Sequence, residues 1–172
     1  MDAIGTLIQD HNHVKRMFTE YAQLNDRAKS RRKVLADQIC DALTIYARVE
    51  EEVFYPAVRE FIADQDLVDA AVHDHAAARL LIDQIEDMEP GDYLYDEKLE
   101  LLASIIEQHM RDEEDELFPK VRRTSLDMVL LANQMTALRD KAPVKPNQNG
   151  RTSRTGANVV SITQASRRQS QR

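Results

Sequence analysis

Apolar residues return every three or four positions in five stretches of the chain, which is the spacing of amphipathic α-helices. These stretches begin near residues 4, 30, 66, 96 and 125. Pro56 and Pro119 fall near the ends of the second and fourth stretches, where a proline bends or stops a helix. Four long helices joined by modest loops predict an all-α protein, an antiparallel four-helix bundle. The fifth stretch, Ser125 to about Lys141, predicts an additional C-terminal helix that packs on this bundle.

Polar or titratable side chains lie in register with the apolar stripes of the first four helices. Residues four apart project from one face of a helix, so Tyr46 points with Glu50, and His109 points with Glu113. A buried carboxylate is costly unless it is paired or bound to a metal, and these stripes contain no basic partner. The pattern therefore predicts either a metal site or a buried polar network, built from His11, Tyr46, Glu50, His75, His109 and Glu113.

The same residues form an internal repeat. Residues 46–56 read YARVEEEVFYP and residues 109–119 read HMRDEEDELFP, and aligning the prolines places Glu50 on Glu113 and Tyr46 on His109. His11 precedes Tyr46 by 35 residues, and His75 precedes His109 by 34 residues. Each half thus supplies a lone histidine followed by a helix with His or Tyr four residues before Glu. Folded face to face, the halves would bring six ligand-type side chains together inside the bundle.

The donor set decides which metals fit. It contains three imidazoles, one phenol and two carboxylates, and Cys40 is the only cysteine of the chain, so no thiolate cluster is available. Such donors suit first-row metals of intermediate hardness rather than copper(I) or a closed structural zinc site. If both glutamates bridge two ions, each ion keeps open positions for dioxygen or peroxide. Iron is the natural candidate, and the phenolate of Tyr46 would favour its ferric state.

Composition and charge restrict the class of protein, its location and its partners. The 172 residues allow one well-buried domain, and 42% hydrophobic and 31% charged residues with four glycines suit a helical protein. The chain lacks an apolar run of about 18 residues and a signal-peptide pattern, so we expect a cytoplasmic protein without a membrane segment. Residues 143–172 carry six basic and no acidic residues, whereas residues 1–142 have a formal charge of −13. We expect this tail to be disordered and nucleic-acid binding to be unlikely.

Four separated motifs resemble those of the hemerythrin-like domain, also called the HHE cation-binding domain. They are DH in the first helix, EExxFYP closing the second, DH in the third and HxxxEExxLFP in the fourth, within about residues 4–122. The resemblance implies a four-helix bundle that holds two iron ions in a non-haem centre with an oxo or hydroxo bridge. Its implied ligands are His11, Glu50, His75, His109 and Glu113. Tyr46 stands where the family usually has histidine.

The tyrosine departs from the family pattern and changes the expected function. Family members bind dioxygen, handle nitric oxide, sense iron or oxygen, supply iron or break down hydrogen peroxide. Because a phenolate disfavours ferrous oxygen carriage, we predict a di-iron protein that acts on hydrogen peroxide, of catalase or peroxidase type, with Tyr46 setting its reactivity. The alternatives are a protein that binds or senses dioxygen or nitric oxide, an iron-handling protein, and an interaction protein whose core polar residues only satisfy one another.

The domain prediction is a di-iron bundle over residues 1–122, a C-terminal helix over 123–142 and a basic tail over 143–172. Among residues near the site, His13 and His73 should face outward. Asp10 or Asp74, each directly before a predicted ligand, should orient an imidazole. The remaining acidic residues of the two repeats are expected to form a solvated face: Glu51, Glu52, Glu114, Asp115 and Glu116.

Overall fold

A computed structural model describes residues 1–141 of the chain, so the predicted basic tail lies outside the described residues. The described part contains four long helices, α1 (Ala3–Ala22), α2 (Lys29–Val49), α4 (Gln65–Glu86) and α5 (Tyr95–Asp112). Shorter helices follow the second and fourth of these and close the described chain: α3 (Tyr55–Arg59), α6 (Phe118–Val121) and α7 (Met128–Asp140). The described residues include no strand.

The long helices form a ring in which α1 contacts α2, α2 contacts α4, α4 contacts α5 and α5 returns to α1. Short connections between consecutive helices make this an antiparallel four-helix bundle. Helix α7 packs outside the ring against α1 and α2. The predicted fold, including the additional C-terminal helix, is confirmed. Along residues 1–141, none of the helices has the length and apolar character required to cross a membrane.

Two π-helical turns connect α2 to α3 and α5 to α6, at Glu50–Phe54 and Glu113–Leu117. Pro56 and Pro119 lie just beyond these turns, in the first turn of the following helix. A proline cannot donate a backbone hydrogen bond, and its ring crowds the carbonyl four residues earlier, so the preceding turn widens. Widened turns of this kind occur often at functional sites. Both predicted bridging glutamates, Glu50 and Glu113, open such a turn.

Two apolar clusters occupy the two ends of the bundle. One joins the start of α1 to the π-helical turns and α7, and includes Ile4, Leu7, Phe54, Val58, Leu117 and Met135. The other fills the opposite end and includes Val14, Ile39, Leu43, Ile82, Leu102 and Ile106. The layer between them contains the polar side chains that interrupt the helix stripes. Hydrophobic burial above and below this layer therefore fixes the positions of the polar groups.

Candidate metal centre

The predicted ligands meet in the layer between the two apolar clusters. His11 projects from α1, His75 from α4 and His109 from the last turn of α5. Glu50 and Glu113 enter from the two π-helical turns. All five are buried, with 2–4% of each residue exposed to solvent. The structure thus brings together five of the six residues in one enclosed cage, and the sixth, Tyr46, borders it.

The inner atoms of the cage lie close to one another. His75 Nε2 is 3.1 Å from Glu50 Oε2 and 3.2 Å from His109 Nε2. His11 Nε2 is 3.2 Å from Glu113 Oε2, and His109 Nε2 is 3.5 Å from the same oxygen. Two groups of donors each converge closely enough to hold one ion, and Glu50 belongs to both: Glu50, His75 and His109; His11, Glu50 and Glu113. One carboxylate shared by two ion positions is the geometry that a bridging ligand requires.

Carboxylates outside the cage contact the other ring nitrogen of each histidine. Glu114 Oε1 lies 2.8 Å from His11 Nδ1, and Glu51 Oε1 lies 2.9 Å from His75 Nδ1. Asp74 Oδ2 is 3.8 Å from His109 Nδ1, which is too long for a hydrogen bond, and this nitrogen has no hydrogen-bond partner among the described residues. A carboxylate hydrogen-bonded to Nδ1 keeps the proton there, so at His11 and His75 the Nε2 lone pair is left for a metal.

Cations on the surface hold two of these outer carboxylates in place. Lys15 Nζ is 3.0 Å from Glu114 Oε1, and Arg79 Nη1 is 2.6 Å from Glu51 Oε1. Both cations lie four residues after a cage histidine, one in each half of the repeat. The prediction that Glu51 and Glu114 belong to a solvated face is wrong for these two residues. Each directly follows a cage glutamate, and that repeated Glu-Glu pair is the signal that could have identified them.

The cage has the polar atoms that a metal would satisfy. His11 Nε2 and Glu113 Oε2 are buried, and neither has a hydrogen-bond partner of proper geometry. The Nε2 atoms of His75 and His109 face each other, so two lone pairs would meet if both Nδ1 atoms carry the proton. Unsatisfied buried donors and acceptors are costly, and a cation between them removes that cost. The residues present therefore fit a metal ion by their chemistry.

The ionisation of the cage points the same way. Burial alone would lower the pKa of His109, but Glu113, Asp74 and Glu50 raise it to about 9. Burial also opposes the charged form of His11, and Glu113 nevertheless raises its pKa. In return, burial favours protonation of Glu113, and the charge of His109 outweighs this and lowers its pKa. Without metal, the carboxylates favour the protonated forms of His11 and His109, so this part of the cage favours positive charge.

Tyr46 lies at the side of the cage, half-buried on α2. It borders a cavity of about 360 Å³ that is also lined by His11, Glu50, His75 and His109. Burial raises the pKa of its phenol and the charge of Asp10 adds to this, whereas Arg139 acts in the opposite direction. The guanidinium carbon of Arg139 lies 5.4 Å from the centre of the Tyr46 ring. Ligation by Tyr46 stays a prediction.

A second phenol, which was not among the predicted site residues, reaches the cage. Tyr55 is 1% exposed and donates a hydrogen bond of 2.8 Å to Glu113 Oε1. Its ring stacks on His75 with centroids 5.8 Å apart, and its repeat counterpart Phe118 stacks on His11 at 5.7 Å. The difference between FYP and LFP in the two repeats was the available signal. Tyr55 thus fixes one cage carboxylate from the opposite half of the chain.

The remaining neighbours divide into two groups. His13 and His73 are exposed on the outer faces of α1 and α4, as predicted. Asp74 lies at ion-pair distance from His109 of the adjacent helix α5, and not from its sequence neighbour His75. Asp10 forms no hydrogen bond or ion pair with a histidine of the described residues. It pairs instead with Arg139 of α7. Of the two aspartates only Asp74 lies within ion-pair distance of an imidazole, and the orientation of a ring by either aspartate stays a prediction.

A four-helix bundle with a buried cage of imidazoles and carboxylates defines a metal-binding bundle protein. Residues 2–121 match the sequence model of the hemerythrin HHE cation binding domain, and the chain belongs to this family. The resemblance inferred from the four motifs is confirmed.

Two known proteins resemble the chain. A curated "DNA nickase" from Nostoc sp. is 35% identical over 122 residues, which cover 71% of this chain and only 34% of that protein. The chain therefore spans about a third of the length of that relative. The crystal structure of a hemerythrin HHE cation binding domain-containing protein from Mycobacterium kansasii matches with a TM-score of 0.69. That match covers 81% of this chain and 86% of the other at 20% identity, and it concerns the fold alone.

Proposed function

We propose that the chain holds a non-haem di-iron centre that breaks down hydrogen peroxide. The ligands are His11, Glu50, His75, His109 and Glu113, with Tyr46 as the sixth. The single observation that carries this proposal is the position of Tyr46, which borders the same cavity as four cage residues. A phenolate there would favour ferric iron, because a hard anionic donor stabilises the higher charge. Ferric iron suits peroxide breakdown better than reversible oxygen carriage.

Each side chain has a definite task in this site. Bound iron supplies the redox chemistry, for which none of the cage side chains is equipped. Glu51 and Glu114 hold the Nδ1 protons of His75 and His11, and so direct Nε2 into the cage. Tyr55 holds one oxygen of Glu113 and leaves the other free to point inward. The carboxylates of the cage are the groups placed to accept and return protons during turnover.

The cavity beside the cage gives a small molecule room to approach. Its volume is about 360 Å³, and apolar side chains form much of its wall: Leu43, Ala47, Ala78, Ile82, Ile106 and Met110. A water-sized molecule occupies roughly 30 Å³, so hydrogen peroxide fits easily. The apolar part of the wall contributes no donors or acceptors, so a polar substrate orients on the cage or on the other polar lining residues, which include Thr44, Arg48 and Glu52.

The test combines colour and turnover. Iron-loaded protein should show a visible phenolate-to-Fe(III) charge-transfer band and should release oxygen from hydrogen peroxide. Tyr46→Phe should lose the band while it retains iron. Tyr55→Phe is the matched control, because this phenol lies at the same cage but binds Glu113, and its band should persist. Protein that contains both irons and leaves peroxide unchanged would contradict the proposal.

A second candidate is binding of dioxygen or nitric oxide, which the apolar wall of the cavity favours because both gases are apolar. In that case the reduced protein should give a stable spectral change with the gas and little turnover. Nicking of DNA is the named activity of a relative of which this chain covers only 34%. The acidic charge of residues 1–142, −13, would repel phosphates, and we do not propose that activity.

A further inference from the structure

The two halves of the repeat place an aspartate at equivalent positions, directly before His11 and His75. In the second half, Asp74 lies at the outer nitrogen of His109, with 3.8 Å between Oδ2 and Nδ1. The repeat counterpart of His109 is Tyr46, and the counterpart of Asp74 is Asp10. The exchange of histidine for tyrosine therefore leaves Asp10 beside a ring that has no N–H to offer.

Asp10 nevertheless has a partner, and the partner comes from outside the repeat. Arg139 of α7 donates a hydrogen bond from Nη2 to Asp10 Oδ2, across 129 positions of sequence. Asp10 is only 7% exposed, so a carboxylate without this partner would be a buried unpaired charge. Burial raises the pKa of Asp10, and the charge of Arg139 opposes that increase. Arg139 thus supplies the partner for Asp10 that a histidine at position 46 could otherwise provide.

The same guanidinium also contacts Tyr46. Its central carbon lies 5.4 Å from the centre of the phenol ring, within the distance of a cation–π contact. Arg139 is held in this position because α7 packs on both α1, which carries Asp10, and α2, which carries Tyr46. One side chain therefore connects the buried carboxylate and the ring of the predicted ligand.

We propose that Arg139 is a positioning residue of the metal centre, which fixes the ring of Tyr46 at the cage and replaces the contact that a histidine would make with Asp10. Helix α7 then forms part of the site, although Arg139 lies beyond the residues 2–121 that the family model matches. The inference rests on the proposed role of Tyr46. Tyr46 and Arg139 then act as a linked pair: the guanidinium positions the phenol ring, and a different residue at position 46 changes the contribution of Arg139.

The first experiment measures the melting temperature of chelator-treated, full-length protein in a double-mutant cycle of Arg139→Met and Tyr46→His. In the parent protein, Arg139→Met should lower the Tm by roughly 4 to 8 °C, because a buried carboxylate loses its partner. With Tyr46→His present, the loss should be at most half as large, because the new imidazole can donate to Asp10. The control Arg31→Met removes an exposed ion pair with Glu20 and should change little in either background.

The second experiment measures the visible spectrum of the iron-loaded protein. Arg139→Met should retain iron but shift the Tyr46 charge-transfer band to longer wavelength, because loss of a nearby cation raises the energy of the phenolate electrons. Arg139→Lys keeps the charge beside Asp10 and should recover most of the Tm, while the loss of the planar guanidinium leaves part of the band shift.

Two outcomes would overturn the inference. Equal Tm losses from Arg139→Met in both backgrounds would mean that Arg139 only supports the fold, independently of residue 46. An unchanged band in an Arg139→Met protein that contains two irons would mean that the guanidinium does not position the phenol. A parent protein that binds no iron would contradict the proposed function instead, and the melting cycle, which needs no metal, would still decide the linkage of Arg139 to Tyr46.

Discussion

Removal of metal from the cage should make the stability of the protein decline as pH rises from 6.5 to 9. Without metal, the buried carboxylates keep a proton on His109, whose pKa rises from 6.5 to about 9 although burial opposes it. With metal, the imidazole must be neutral to ligate, so ions and protons compete for the same nitrogen. The perturbation is therefore chelation, followed by an increase in pH from 6.5 to 9.

The sign and size follow from linkage. A group whose pKa is higher in the folded state contributes stability that is complete below its unfolded pKa and is lost as pH rises through its folded pKa. For His109 this window runs from 6.5 to about 9. Each pKa unit corresponds to about 1.4 kcal/mol, so the metal-free protein should lose about 3 kcal/mol of unfolding free energy across it. In the metal-loaded protein the folded imidazole carries no proton, and the unfolded imidazole has already lost most of its own above pH 6.5, so His109 should leave stability nearly constant over the same window.

Urea denaturation at several pH values between 6.5 and 9 would measure both effects on chelator-treated and iron-loaded protein. His109→Gln should flatten the decline of the metal-free form, because it removes the group that titrates. His13→Gln is the matched control, since His13 is exposed on the outer face of α1, and the decline should remain. Metal-free stability that is constant or increases between pH 6.5 and 9 would refute the reasoning that the cage retains a proton in place of the ion.

Three further predictions concern single side chains. Glu113→Ala should abolish binding of both irons if this glutamate bridges them, and elemental analysis that still finds two irons would count against bridging. Glu114→Gln should weaken metal binding by roughly 10- to 100-fold in competition with a chelator, while the exposed Glu116→Gln should not, because only Glu114 holds a cage imidazole. Tyr55→Phe should cost the metal-free protein about 1–3 kcal/mol by urea denaturation, whereas Tyr93→Phe, at an 87% exposed position, should cost nothing measurable.

Much of the fold and part of the site could be predicted from spacing along single helices. Apolar residues at the helical period fix which face of each helix is buried, and residues four apart must share that face. His109 with Glu113, and Glu50 in the equivalent register, could therefore be assigned to the interior without a structure. The repeat with its two prolines also indicated that both glutamates occupy equivalent places. Their burial to 2–3% exposure agrees with this reasoning.

Only the tertiary structure decided which groups surround the predicted ligands. Glu114 reaches His11 across 103 positions of sequence, Tyr55 reaches Glu113 across 58, and Arg139 reaches Asp10 across 129. Helical spacing separates inward from outward positions. A glutamate or arginine between the two faces can point into solvent or contact a neighbouring helix. That choice depends on how the helices pack against one another. The physical reason is that one helix determines the direction of its own side chains, whereas a contact between helices exists only once the apolar clusters have fixed their relative positions.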